Sequence, residues 1–378
     1  MARTPGSHPG NRSSILRGVT NTVTLNQNLI CHNYWHNYGT IMCYNENMFK
    51  PKFTITPSIN NKIAEIEKLK TIFDHSSIIP ELAIELRYRA TVESVHSSTS
   101  IEGNPLNQQE VEKVLAGTTI SAPDYAIKEV LNYKNALNWL GQREKTKSTL
   151  NSNEILKLHS ILMLNLLPTH KVGSYRPGDV YIVDEVKTSR GSSEKEVVQY
   201  TGPQASDLKK LVSSFTAWVE IQKKEKKLHP VLLAGLAHFI FVSIHPFSDG
   251  NGRATRLLTH QFLKSTSYNF NDSLSLDSYY LQNRENYYQA LSRAKTFEDR
   301  MFADITPFLE FFVEGFLQSV KTLTKYAQIG KVLEDKQKPI RLNQEELLIL
   351  DYVYQFKSII LKKHSRLHKL KKEPLKED

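Results

Sequence analysis

The sequence predicts an all-α fold that carries one β-hairpin. Apolar residues recur at helical spacing over most of the chain from residue 59 to residue 327. Two apolar runs, Val231–Val242 and the one that begins at Leu257, flank a short polar stretch and are expected to be core helices. Only 180–183 and 196–200 are rich in β-prone residues, and the polar segment 188–195 between them predicts a hairpin tip.

Helix boundaries follow from proline, glycine and the ends of the apolar periodicity. One helix is expected to start after Pro80 and to end at Gly103 and Pro105. The other predicted helices are 59–73, 108–116, 123–141, 153–166, 204–222, 230–244, 251–266, 277–296, 303–327 and 342–358.

Composition limits the class of protein without naming its function. The chain has 378 residues, a net charge of +10 and a mean hydropathy of −0.41. It shows neither a signal peptide nor an apolar run that approaches a membrane span, so we expect a cytoplasmic protein that does not bind membranes. Its two cysteines, Cys31 and Cys43, cannot build a disulfide framework or a zinc site in the rest of the chain. The positive charge suits polyanions, nucleotides or acidic partners.

The polar stretch between the two core helices is His245-Pro-Phe-Ser-Asp-Gly-Asn-Gly-Arg253, with Arg256 one turn further on. Asn251 is predicted to be the N-cap of the helix that follows. A helix start presents unpaired N–H groups to anions, and Gly250 and Gly252 allow phosphate oxygens to approach the backbone closely. These features predict an anion cradle.

The charged residues of the same stretch supply the other parts of a transfer site. Arg253 and Arg256 share a helix face and can clamp phosphate oxygens. Asp249 offers a hard oxygen ligand for Mg²⁺, and His245 can take a proton from a hydroxyl near neutral pH. Any one of these residues alone would suit a solvated capping loop, but together they favour phosphoryl or nucleotidyl transfer.

The motif closely resembles that of the Fic/DOC superfamily, whose pattern H-P-F-x-[D/E]-G-N-G-R-x-x-R is met at every fixed position from His245 to Arg256. The resemblance extends over residues 55–325 and includes Gly173-Ser-Tyr-Arg176. It implies a Fic-type helical bundle with a β-hairpin flap at 181–200 that aligns the target. It also implies transfer of AMP from ATP to a Ser, Thr or Tyr hydroxyl of a protein, with self-modification expected.

The resemblance also implies a role for each motif residue. His245 would deprotonate the target hydroxyl and Asp249 would hold Mg²⁺. Asn251, Gly250 and Gly252, helped by Arg253, would bind the α- and β-phosphates of ATP, and Arg256 would hold the γ-phosphate. Tyr287 and Tyr288 suit either core packing or stacking on adenine.

A second family motif, [S/T]-x-x-x-E-[G/N], fits Ser98-Thr-Ser-Ile-Glu102-Gly103. In such relatives the glutamate pairs with the second motif arginine. The resemblance therefore implies that Glu102 competes with the γ-phosphate for Arg256 through a bidentate pair and holds the enzyme in a low-activity state. It further implies that Glu102 could orient a water that removes AMP from modified targets.

These observations divide the chain into four predicted segments. They are a disordered extension or over-long start at 1–47, a helical region with the inhibitory helix at 48–150, the catalytic core at 151–328, and a basic linker with a C-terminal helix at 329–378. The last resembles an incomplete winged-helix module.

Two alternative functions stay open at this point. One is a Fic transferase that uses another nucleotide or phospho-donor, and the other is a DNA-associated regulator with weak catalysis. Nucleic-acid contact by the basic tail and a homodimer are also left open.

Overall fold

The computed structural model describes residues 30–31, 43–44, 49–76, 78–143, 150–187 and 194–334. Met1–Met48 and Phe49–Asp378 form two separate compact units. In the first unit, β1 (Ile30–Cys31) pairs antiparallel with β2 (Cys43–Tyr44). The rest of the predicted extension, the predicted helix at 342–358 and the basic tail lie outside the described residues.

The described part of the second unit is mainly helical, as the sequence predicts. Its helices are α1 (Pro57–Asp74), α2 (Pro80–Ile101), α3 (Gln108–Leu115), α4 (Asp124–Arg143), α5 (Ser152–Leu162), α6 (Leu208–Glu225), α7 (Pro230–Ile244), α8 (Asn251–Ser265), α9 (Asp277–Gln282), α10 (Arg284–Leu291), α11 (Phe297–Phe302) and α12 (Thr306–Glu334).

The prediction of one helix over 277–296 is wrong. The helix is interrupted at Asn283, which has φ −119° and ψ 38°, and α9 and α10 lie on either side of this residue. The Asn283 side-chain amide donates to the Tyr279 carbonyl at 3.0 Å, which gives the backbone an alternative to continuing the helix. Helix α12 is longer than predicted and continues past the proposed boundary at 328 to Glu334.

Helix α7 is the centre of the core. Pro230 occupies its first turn, and the His229 ring accepts the N–H of Val231 at 3.2 Å. The helix packs against α6, α8, α11 and α12 and is buried on all sides. The polar loop that begins at residue 245 is therefore attached to a helix fixed in the core. Full burial of one large apolar side chain contributes roughly 1.5–3 kcal/mol.

The predicted hairpin is present, as β3 (Tyr181–Lys187) paired antiparallel with β4 (Glu194–Thr201). An irregularity interrupts its register between Ile182 and Val183. The end of β4 is attached to the helical body, because the Thr201 N–H donates to the Lys295 carbonyl at 2.7 Å. The hairpin therefore projects from a fixed base.

Among the described residues, none of the helices combines the length and the apolar character needed to cross a membrane.

Candidate active site

His245 ends α7 in a left-handed conformation, with φ 49° and ψ 58°. Pro246 follows and cannot continue the helix. The Nδ1 atom of His245 lies 3.3 Å from the Val242 carbonyl, which can only accept, so Nδ1 carries the proton and Nε2 keeps a lone pair. Burial lowers the pKa of His245 to about 4. The imidazole is therefore neutral at physiological pH and can act as a base through Nε2.

Arg176 fixes the backbone that carries His245. Its Nε donates to the His245 carbonyl at 2.9 Å, and its own N–H donates to the Pro246 carbonyl at 3.0 Å. Its Nη1 and Nη2 donate to the carbonyls of Gly178 and Pro203 at 2.6 and 2.5 Å. One buried guanidinium thus joins the motif loop to both ends of the hairpin.

His159, on α5, is a residue that sequence reasoning missed. Its Nδ1 accepts the Gly173 N–H at 3.0 Å, and its Nε2 donates to the Asp249 carbonyl at 3.1 Å. The ring also stacks on Phe247, with 3.9 Å between ring centroids. Burial lowers its pKa to about 4. Both nitrogens are occupied, so His159 supports the loop and has no free lone pair for catalysis; its sequence neighbourhood gives no signal for this.

The N-cap of α8 is Gly250, so the prediction of Asn251 as the cap is wrong. The cap position has φ +79°, which glycine adopts readily, and a Cβ there would lie 2.7 Å from the Met163 sulfur. Asn251 is instead the first helical residue. Its Oδ1 accepts the N–H of Phe247 at 2.9 Å and its Nδ2 donates to the Phe247 carbonyl at 2.8 Å. The Asn251 side chain therefore closes the loop on itself.

Arg256 and Glu102 form the predicted ion pair, with 2.8 Å between Nη2 and Oε1. A bidentate pair was predicted, but Glu102 contacts Arg256 through this single contact. Arg256 Nε donates to the Ser98 hydroxyl at 2.7 Å, and Nη2 also donates to the Ser98 carbonyl at 2.9 Å, so Ser98 takes the second half of the guanidinium fork. Asp277 lies 3.9 Å from Nε. Ser98 of α2 and Glu102 at its C-terminal end thus hold Arg256.

The carboxylate of Glu102 also lies against the start of α8. A Cβ at Gly252 would stand 2.2 Å from Glu102 Oε1, so only glycine permits this approach. The helix start at Gly252 is where the sequence predicts a phosphate. Glu102 keeps 26% of its side-chain surface exposed. Its carboxylate therefore occupies part of the predicted anion cradle.

The end of α2 sets the position of Glu102. The Gly103 N–H donates to Ser100 O at 3.0 Å and the Asn104 N–H to Thr99 O at 3.1 Å, with Gly103 at φ +95°. This is the Schellman arrangement, which closes a helix and places the preceding residue, Glu102, at its C-cap.

Arg253 is buried and pairs with two carboxylates. Its Nη1 lies 2.8 Å from Oε1 of Glu129, on α4, and its Nη2 lies 3.2 Å from Oδ1 of Asp249. Sequence reasoning missed Glu129, because nothing local to it distinguishes it from a solvated helix charge.

Asp249 is the one predicted metal ligand, and 53% of its side chain is exposed. The described residues contain no group of three His, Cys, Asp or Glu side chains that could hold an ion alone. A single exposed carboxylate suits Mg²⁺ that arrives on nucleotide phosphates, because Mg²⁺ is commonly held by one or two carboxylates together with those phosphates.

The two predicted adenine contacts differ. Tyr287 is 1% exposed, its ring stacks on Tyr280, and its hydroxyl hydrogen-bonds Nε2 of the buried His238 at 2.9 Å. It is a core residue here, so the adenine-stacking interpretation does not fit it. Tyr288 is 42% exposed, and the Arg284 guanidinium lies 5.5 Å from its ring. Only Tyr288 of the pair offers an accessible ring.

Comparisons with known proteins agree with this geometry. Residues 149–263 match the model of the Fic/DOC family. The chain is 28% identical over 226 residues to the protein adenylyltransferase Fic of Nematostella vectensis, covering 59% of this chain and 46% of that protein. It is 27% identical over 312 residues to the protein adenylyltransferase Fic of Drosophila erecta, covering 77% of this chain and 56% of that protein. The chain thus spans about half the length of these relatives.

Solved structures show the same fold. A Fic family protein from Desulfovibrio desulfuricans superposes with a TM-score of 0.59 at 23% identity, over 82% of this chain and 90% of that one. A Fic domain containing signaling protein from Bacteroides thetaiotaomicron gives a TM-score of 0.57 at 22% identity, over 72% of this chain and 97% of that one. In its motif, in the family match over residues 149–263 and in its helical fold with a small hairpin, this chain is similar to the Fic/DOC family.

Proposed function

We propose that the protein transfers AMP from ATP to a hydroxyl side chain of a protein, and that Glu102 restrains this activity. The observation that carries the proposal is the placement of a neutral histidine with a free Nε2 next to a glycine-rich helix start that contains two buried arginines. The names of the relatives support AMP as the transferred group.

In the proposed reaction, His245 Nε2 removes the proton of the target hydroxyl. The hydroxyl oxygen then forms a bond to the α-phosphorus of ATP, and the bond from that phosphorus to the bridging oxygen of the β-phosphate breaks. Pyrophosphate leaves, and His245 releases its proton to solvent. Arg176 keeps the base in place during this step, because it holds the His245 carbonyl.

The arginines and the helix start would bind the triphosphate. The N–H groups at the start of α8 and the guanidinium groups of Arg253 and Arg256 neutralise its charge. Mg²⁺, held by Asp249 and the phosphates, would add charge stabilisation at the transferred group. Tyr288 is the exposed ring that could contact the adenine.

The hairpin suits an extended peptide as the other substrate. Among the described residues of its strands, Tyr181, Ile182 and Val198 are exposed apolar residues that a bound segment could cover. A target segment could pair with an edge of this hairpin, and its hydroxyl would then be presented to the base.

Glu102 would restrain the reaction by competition. One guanidinium cannot serve both Glu102 and a γ-phosphate, and the carboxylate lies at the Gly252 backbone that the phosphates would approach. ATP could still bind, but its phosphates would be misplaced for transfer.

The test is incubation of the full chain and its Glu102→Gly variant with ATP labelled at either the α- or the γ-phosphate. We expect label on protein only from the α position, and none with the double variant Glu102→Gly/His245→Ala. Transfer of the γ label would indicate a phosphoryl transferase, and label retained without His245 would rule out that residue as the base.

A further inference from the structure

Glu129 contacts more than Arg253. Its Oε1 accepts from Arg253 Nη1 at 2.8 Å, and its Oε2 accepts from the Asn104 side-chain amide at 2.7 Å. Only 16% of the Glu129 side chain is exposed. Both carboxylate oxygens are therefore occupied in a partly desolvated position, where charge-assisted hydrogen bonds are strong and directional.

Asn104 is itself firmly placed. Its Nδ2 also donates to the Ala126 carbonyl at 3.0 Å, its Oδ1 accepts the Leu106 N–H at 3.1 Å, and its own N–H closes the last turn of α2 on Thr99. Asn104 thus connects the end of α2 to α4. It lies two residues after Glu102, so the segment that holds Arg256 also supports the partner of Arg253.

The two carboxylates come from different elements, Glu102 from the end of α2 and Glu129 from α4. Glu102 lies against Gly252, where a phosphate is expected, whereas Glu129 approaches Arg253 from α4 and engages only Nη1. The Nη2 of Arg253 is directed towards Asp249, whose side chain is exposed on the loop. Arg253 Nε has no hydrogen-bond partner among the described residues. Arg253 therefore contacts the loop through Nη2 and Asp249, while Glu129 on α4 holds its Nη1.

We propose that Glu129 is a positioning residue that orients Arg253 towards the nucleotide phosphates, and that Asn104 holds Glu129 in this role. The inference rests on the proposed function for the identity of the nucleotide. The two ion pairs then have opposite effects on ATP binding. Glu102 competes with ATP for Arg256, whereas Glu129 orients Arg253 so that it can bind ATP.

The alternative is that Glu129 is a second competing carboxylate. The two interpretations predict opposite changes in the affinity for ATP when the carboxylate is removed. Removing a competitor frees a guanidinium and strengthens ATP binding, as expected at Glu102. Removing a positioning group lets the guanidinium leave its orientation and weakens binding, because a charge-assisted contact to phosphate depends on geometry.

The experiment compares Glu102→Gly with Glu102→Gly/Glu129→Gln. The dissociation constant for ATP with Mg²⁺ is measured by calorimetry, and KM and kcat for AMP transfer are measured separately. We expect Glu129→Gln to weaken ATP binding about tenfold or more, the equivalent of one charge-assisted hydrogen bond, and to raise KM for ATP more than it lowers kcat. Asp124→Asn, an exposed acidic position on the same helix, is the matched control and should change neither quantity.

Asn104→Ala in the Glu102→Gly background serves as a second variant if Glu129→Gln does not fold. It removes the support of Glu129 but leaves the carboxylate, so we expect ATP binding to weaken by about threefold. Unchanged or tighter ATP binding in the folded variant would overturn the inference. Because calorimetry needs no transfer, it decides this point even if Glu102→Gly fails to transfer AMP, a result that would count against the proposed function alone.

Discussion

The two ends of the motif loop are held in different ways. At the histidine end, the acceptors are backbone carbonyls: that of Val242 faces His245 Nδ1, that of His245 accepts from Arg176, and that of Asp249 accepts from His159. At the arginine end, carboxylates from α2 and α4 provide them, through Glu102 and Glu129. The proposed base is therefore held through Nδ1 and leaves Nε2 available, while the two arginines proposed to bind phosphate already have anionic partners.

This difference separates two kinds of control. The acceptors at the histidine end are neutral carbonyls that do not resemble a substrate anion, so these contacts can only preorganise the histidine. A carboxylate beside an arginine resembles the anion that the arginine would bind, so it can either block or orient that residue. Which of the two it does depends on the side from which it approaches.

His245→Asn should have the largest effect. Asparagine tolerates the left-handed backbone at this position but supplies no base near neutral pH, so AMP transfer should fall by about 10²- to 10⁴-fold while the fold is kept. Transfer rates and thermal unfolding check this. A loss of activity that is matched by a loss of folded protein would remove the assignment of a base at the histidine end.

Glu102→Gln should act in the opposite direction. It is close in shape but uncharged, so Arg256 becomes available to phosphate, and transfer should rise by about 5- to 150-fold, the range of a typical coupling free energy. Initial rates with labelled ATP measure the change. The Glu93→Gln variant, on the same helix at an exposed pair with Arg89, is the control and should leave the rate unaltered.

Arg176→Lys should have an intermediate effect on both stability and rate. Lysine lacks the planar fork that reaches the carbonyls of His245, Gly178 and Pro203, so the free energy of unfolding should fall by about 2 kcal/mol and transfer by about tenfold. Denaturant unfolding and transfer rates are the measurements. If stability falls but kcat does not, the histidine end is positioned by other contacts.

A change of pH should have the smallest effect on the transfer rate but a clear effect on the free energy of unfolding. The pKa of His245 and that of His159 are both lowered to about 4, so transfer should show no loss at the ordinary histidine pKa of about 6.5. The unfolded chain binds more protons than the folded one between these pH values. The contribution of these histidines to the free energy of unfolding should therefore be complete above about pH 6.5 and decline as the pH falls towards about 4.

A rate profile with an inflection near pH 6.5 would contradict the first expectation. Denaturant unfolding at several pH values across the same window checks the second.

Much of the site could be predicted because its residues are close in sequence. His245 and Asp249 lie in one short loop between two apolar helices, and Arg253 is in the first turn of the helix that follows. The pairing of Glu102 with Arg256 was predicted through resemblance, since the residues are far apart in the chain. His159 and Glu129 were not predicted, because their contacts to the loop come from distant helices and depend on packing.

Local sequence also misled in identifiable places. Asn251 is a favourable N-cap residue by type, but the loop needs a left-handed residue at the cap, and Gly250 takes that position. Tyr287 stands beside Tyr288 in the sequence, yet adjacent helical residues point in different directions, so one ring enters the core and the other stays exposed.

Apolar periodicity and turn residues were enough to specify most of the helices, the hairpin and the chemical groups of the loop, because these depend on contacts within a few residues along the chain. The single contact between Arg256 and Glu102, the support of Arg253 by Glu129 and the tautomer of His159 depend on how α2, α4, α5 and α8 pack together. Burial in that packing removes competing water, so each charged or polar group takes the partner that the neighbouring helix presents.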